Sequence, residues 1–137
     1  MGLILDSSIL IAGERRGETV GQVMQRVRAV HGDQESALSA ISIVELTHGI
    51  YRARTDADRV RRIAFTHELT RDMIVHPVSV AIAQLAGRIE GEQASQGISI
   101  ALEDLIIGAT ALHLGFDVVT INLKHFQAIP DLRVIAL

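Results

Sequence analysis

Leu3-Ile4-Leu5-Asp6-Ser7-Ser8 decides the fold: three consecutive aliphatic residues end abruptly in a carboxylate and two hydroxyls. An unbroken aliphatic run suits a strand buried on both faces, as in a parallel sheet. In open parallel sheets chemistry gathers beyond the carboxyl ends of the strands, and Asp6 stands at such an end. A strand that stops at Asp-Ser also fits a simple turn or helix cap. The rest of the chain has to decide between the two.

Working outward, Ser7 to Gly13 reads as a short helical turn, and Glu14-Arg15-Arg16-Gly17-Glu18 as a polar loop. Val20, Val23, Met24, Val27 and Val30 recur at helical spacing and predict a helix over Thr19–His31. Ala37 to Ile41 reads as a second buried strand. Ser42-Ile43-Val44-Glu45 then matches a capping box opening the next helix. A further helix is expected over Asp56–Thr70, with Val60, Ile63 and Ala64 on its inner side and Phe65 and Leu69 widening that face. Met73–His76 should be a third strand, closed by Pro77, and Val78–Ser95 another helix. Leu102, Leu105, Ile106, Ala109 and Leu112 form the apolar face of a helix that Gly115 stops. The small residues Gly108, Ala109 and Ala111 would let it approach the sheet. Val118–Ile121 is the fourth strand and Leu132–Ile135 a fifth, at an edge.

Strands alternate with helices, without repeats, low complexity or a linker. The pattern predicts one domain over residues 1–137, a three-layer α/β/α sandwich with a mostly parallel, five-stranded sheet. Right-handed crossovers would place the strand ends on one rim.

Composition narrows the function. An apolar content of 48% argues against disorder, and 3% aromatic residues argue against a base-stacking platform. The absence of cysteine excludes disulfides and thiolate chemistry. No basic leader precedes Asp6 and no apolar stretch reaches the length of a membrane span, so a soluble cytoplasmic protein with no membrane partner is expected. Positive charge is nearly all arginine, since Lys124 is the only lysine. Arg52, Arg54, Arg59, Arg61 and Arg62 fall close together, and the arginine fork pairs well with phosphate. Asp56 and Asp58 dilute the cluster, which reads as a solvated helical face, with the tracking of a nucleic-acid backbone by these residues or by Arg15 and Arg16 as the alternative.

With this architecture, Asp6 lies at the end of the first strand and Glu45 in the first helical turn after the second. Asp104 lies in the first turn of the helix before the fourth strand, and Asn122 just past that strand. Each has a local explanation: a turn, a capping box, a helix dipole or a turn again. Together they put four oxygen-bearing side chains on one rim. Carboxylates brought together repel and raise at least one pKa, an arrangement that makes sense around a hard divalent cation. Oxygen-only ligands favour Mg²⁺ or Mn²⁺ over Zn²⁺, and such a site binds phosphate oxygens for in-line displacement. No phosphate-binding loop, dinucleotide fingerprint or nucleophile elbow occurs.

The blocks Leu3–Ile11, Ala40–Gly49, Glu103–Leu112 and Val118–Phe126 resemble the PIN domain, and specifically VapC-type toxins of bacterial toxin–antitoxin pairs. The resemblance spans nearly the whole chain, in order. It implies a Mg²⁺- or Mn²⁺-dependent endoribonuclease, usually a homodimer, that cleaves RNA and is neutralised by a cognate VapB antitoxin. It implies Asp6 and Asp104 as main metal ligands, with Glu45 as the second acid, binding metal or positioning the attacking water. Ser8 and Thr120 match small polar positions supporting the site. Asn122 would assist, but many members carry a fourth acid near it. That departure leaves the second metal position open, and the expectation is one tightly held ion, with a second arriving with the RNA phosphate. Two other readings share the strand-end Asp. One is a receiver-like or phosphatase-like domain forming an aspartyl-phosphate, although Asp6-Ser7-Ser8 lacks the phosphatase's second Asp. The other is a catalytically silent antitoxin-binding module.

Overall fold

The N-terminal aliphatic run forms β1 (Gly2–Leu5), buried at every position. A computed structural model describes residues 1–137. The order continues with α1 (Ser7–Arg15), α2 (Val20–His31), β2 (Glu35–Ser39), α3 (Ala40–Tyr51), α4 (Asp56–Asp72), β3 (Ile74–His76), α5 (Val80–Ala94), α6 (Leu102–Leu114), β4 (Asp117–Thr120), α7 (Leu123–Phe126) and β5 (Val134–Ala136). The strands form one sheet in the order β3-β2-β1-β4-β5, with every pairing parallel. β1 is central, which explains its unbroken apolar run: helices cover both faces and a parallel neighbour flanks each side.

Alternation along the strands splits the core in two. Leu3 and Leu5 pack with Val23, Val27, Phe65 and Leu69 of α2 and α4, whereas Ile4 packs with Ile82, Ile89 and Leu105 of α5 and α6. The three-layer α/β/α sandwich expected from the alternation pattern is the one observed.

Several local expectations are corrected. β2 ends at Ser39, paired with His76, and α3 starts at Ala40. The cap is Ser39, whose Oγ accepts the Ile41 N–H at 3.3 Å. Ser42 is therefore already inside the first turn, with its Oγ buried and without a hydrogen-bond partner, and Glu45 sits in the second turn. Strand pairing ended the strand earlier than the apolar pattern suggested. The expected polar loop at Glu14-Arg15 is instead the last turn of α1, because α4 brings Arg61 and Arg62 to the buried Glu14 carboxylate at 3.2 and 3.9 Å. On α4, Val60, Ile63 and Ala64 are exposed, and only the i, i+4 pair Phe65 and Leu69 is buried. That helix packs at the periphery and needs only a narrow stripe. Gly115 does stop α6 in the left-handed conformation at φ 70°. Gly108, however, yields its space to Ile129 and Leu132, beyond α7, and not to the sheet.

Candidate active site

Parallel register decides what stands beside Asp6. Leu5 is in register with Val119, and the Asp6 N–H donates to the Val119 carbonyl at 2.9 Å. The next residue on β4, Thr120, is thus level with Asp6. Its Oγ1 donates to Asp6 Oδ2 at 2.7 Å, and Ser8 Oγ donates to the same oxygen at 2.6 Å from the first turn of α1. Asp6 occupies the N-cap position of α1 yet makes no capping hydrogen bond. The cap reading of this residue fails: the carboxylate is 4% exposed and held by two hydroxyls through one oxygen. Oδ1 is engaged by neither Ser8 nor Thr120 and remains open to a further partner.

Glu45 reaches the rim from the second turn of α3, where the Ser7 hydroxyl donates to its Oε2. Ser7 Oγ also lies 3.5 Å from Asp6 Oδ1 and so stands between the two acids. Sequence reasoning passed over Ser7. Its signal was available, because a polar residue directly after a strand-end acid begins the helix at that rim. Asp104, in the first turn of α6, completes the group. Burial, then the charge of Asp6, pushes its carboxyl up from 3.8 to about 6, with smaller contributions from Glu103 and Glu45 and opposition from His125. Glu103, its neighbour, is also raised, by burial first and then by Glu45 and Asp6. Glu103 therefore belongs to the same negative field, a member that only its adjacency to Asp104 signalled.

Asn122 is exposed, and no hydrogen bond ties its amide side chain to any of the acids. Its backbone N–H donates to Thr120 Oγ1 at 2.9 Å, so it supports the Thr120 hydroxyl that holds Asp6. The group that meets Asp104 from this side is His125, with Nδ1 3.6 Å from Oδ2. No lysine or arginine pairs with Asp6, Glu45 or Asp104.

Asp6 and Glu45 are held by hydroxyls, Asp104 meets only the His125 imidazole, and none of the three pairs with lysine or arginine, which leaves a negative field that a cation can neutralise. All the donors are hard oxygens, which fits Mg²⁺ or Mn²⁺. The side chains are not drawn into a ready-made cage, since no three His, Asp or Glu groups are already clustered at ligand spacing.

The family model described as PIN domain matches residues 3–132. The chain is 31% identical to Ribonuclease VapC1 of Rickettsia felis over 98% of its own length and 96% of the relative's. Among solved structures, VapBC-1 from nontypeable Haemophilus influenzae is similar with a TM-score of 0.80 and 26% identity, covering 99% of this chain and 98% of that one. DNA-bound VapBC from Salmonella typhimurium is similar in fold, with a TM-score of 0.83 at 22% identity over 99% and 98% of the two chains.

Proposed function

The chain belongs to the PIN-domain family and to its VapC ribonucleases, and on that premise we propose that Asp6, Glu45 and Asp104 form the hydrolytic centre of an endoribonuclease toxin. The observation that carries the assignment is the grouping of Asp6, Glu45 and Asp104 on one rim of the parallel sheet with no lysine or arginine partner, where burial first and then the charge of Asp6 raise Asp104 to about 6. The whole chain, residues 1–137, is read as one such domain.

Asp6 and Asp104 are the residues that would hold a divalent cation, with Mg²⁺ the first choice and Mn²⁺ the second. Asp6 offers Oδ1 while Ser8 and Thr120 fix Oδ2. A bound cation supplies electrostatic stabilisation of the charge developing on the phosphoryl oxygens. Glu45, oriented by Ser7, accepts a hydrogen bond from the water that attacks the phosphorus in line with the leaving oxygen. Asn122 acts through its backbone, by fixing Thr120. With Asn122 where a fourth acid is common, the residues present would hold one ion tightly, and a second would need the RNA phosphate as a ligand. Two tight sites of equal affinity in a calorimetric titration of RNA-free protein would contradict this.

That a similar solved structure is a VapBC complex supports a VapB-type antitoxin as the partner, and the resemblance to VapC toxins supports a homodimer. No helix is long and apolar enough to cross a membrane, and an RNA-cleaving toxin does its work in the cytoplasm. The test is cleavage of cellular RNA by the purified chain with Mg²⁺, with Mn²⁺ and with EDTA, beside Asp6→Asn and Asp104→Asn. Cleavage should need metal and both acids, and added antitoxin should suppress it. Turnover that persists in EDTA would sink the reading. A covalent phosphate on Asp6 after incubation with acetyl phosphate would favour the aspartyl-phosphate alternative.

A further inference from the structure

Beside the acid rim lies a cleft of opposite character. It has a volume of about 360 Å³ between α1, α3 and α4, and Glu45 of the acid centre forms part of its lining. Arg15 reaches it from the end of α1, Arg52 from the end of α3, Arg54 from the α3–α4 connection and Arg62 from α4. Four arginines in one cleft are notable in a chain whose formal net charge is −3.

They divide into two sets by what they touch. Arg62 donates to the Gly49 carbonyl at 2.6 Å and lies 3.9 Å from Glu14, so it ties α4 to both α3 and α1. Arg61, just behind, takes up Glu14 at 3.2 Å and Asp58 at 2.9 Å. These pairs account for two of the cleft's three acids, leaving Glu45 to the acid centre. Arg15, Arg52 and Arg54 are exposed and make no ion pair or side-chain hydrogen bond. Arg15 and Arg52 also complement the negative ends of their helices. That explanation does not extend to Arg54, which lies outside any helix.

We propose that Arg15, Arg52 and Arg54 form a backbone-phosphate subsite that holds the RNA strand next to the scissile phosphate. The inference rests on the ribonuclease reading above. A polyanion with one phosphate at the acid centre must carry its neighbouring phosphates away across adjoining surface, where bare carboxylates would repel them. A cleft that shares Glu45 with the centre and presents three free guanidinium forks supplies the opposite charge at that place. The planar fork of arginine matches two phosphate oxygens at once, and arginine sheds water more readily than lysine. Phosphate contacts position a strand without reading its sequence, so this subsite sets affinity and register, not base preference.

The experiment is equilibrium binding of a short fluorescein-labelled single-stranded RNA of mixed sequence to the full chain in EDTA, across a salt series. Without metal, binding is read separately from cleavage. Each phosphate contact on a single strand contributes about 0.7 to the slope of log K against log salt. The variant Arg15→Gln/Arg52→Gln/Arg54→Gln should therefore lose about 2 from the slope. Equivalently, the native chain loses about twentyfold more affinity than the variant between about 50 and 200 mM salt. Arg28→Gln/Arg71→Gln/Arg88→Gln, with the same change in net charge away from the cleft, should keep the native slope. If the triple cleft variant does not fold, Arg54→Gln alone, on an exposed connection, should lower the slope by about 0.7. A native slope in the cleft variant, or an equal loss in the control, overturns the subsite. A ribonuclease reading that is itself wrong shows up differently: the slope change is present, but native protein given Mg²⁺ or Mn²⁺ leaves the RNA uncut.

Discussion

Replacing Asp104 with Asn should make the metal-free protein more stable at neutral pH while removing its response to metal. The folded carboxyl is raised from 3.8 to about 6, by burial first and then by Asp6. An acid with this displacement binds more protons folded than unfolded between the two values. Stability therefore falls as pH rises from about 4 to about 6, and the full cost is present above that window. By linkage the rise is worth at most about 3 kcal/mol. Solvent screening at this partly exposed group brings it to on the order of 1–2 kcal/mol. Asn cannot ionise, so it should escape the cost. Urea unfolding in EDTA, followed by circular dichroism at steps from about pH 4 to pH 7, should show native and variant proteins converging at the acid end. At pH 7 the variant should lead by on the order of 1–2 kcal/mol, or about 2–8 °C in Tm. Adding Mg²⁺ should reverse the order. A ligand at one hundred times its Kd stabilises by about 2.7 kcal/mol, and only the native protein should gain. A difference that stays constant across this pH range, or a variant that still gains stability from Mg²⁺, would refute the reasoning.

Thr120→Val removes the donor to Asp6 Oδ2 and the acceptor of the Asn122 N–H at nearly unchanged volume. It should lower stability by about 1–3 kcal/mol and weaken Mg²⁺ binding, measured by thermal unfolding and calorimetry; an unaltered Mg²⁺ affinity would count against the supporting role. Ser42→Ala should do the opposite to stability, raising it by about 1 kcal/mol in urea unfolding, because the buried Ser42 hydroxyl has no partner and alanine is the better helix former. A loss of stability there would mean that Ser42 makes a bond that matters.

The acid centre illustrates how far local sequence reaches. Leu3-Ile4-Leu5 before Asp6 suggested a strand buried on both faces, because a central parallel strand has no solvent face and takes aliphatic residues in succession. The alternation of strands with amphipathic helices then implied which ends share a rim, and so predicted Asp6 and Asp104 on the same rim. The capping-box pattern at Ser42-Glu45 misled, since Ser39 can cap equally well and the choice depended on where pairing with His76 stopped β2.

What the sequence by itself determined is the layering, the central strand and the types of side chain at the rim, all consequences of short-range periodicity. Tertiary structure alone decided the contacts between residues far apart in the chain. The register of β1 on β4 sets Thr120, and not Ile121, beside Asp6. The crossing of α3 past α1 brings Ser7 to Glu45. The packing of α4 on α1 buries Glu14 under Arg61 and Arg62, which leaves Arg15, Arg52 and Arg54 unpaired around the cleft. Strand register and helix packing are set by how whole faces fit together, and no local pattern encodes that fit.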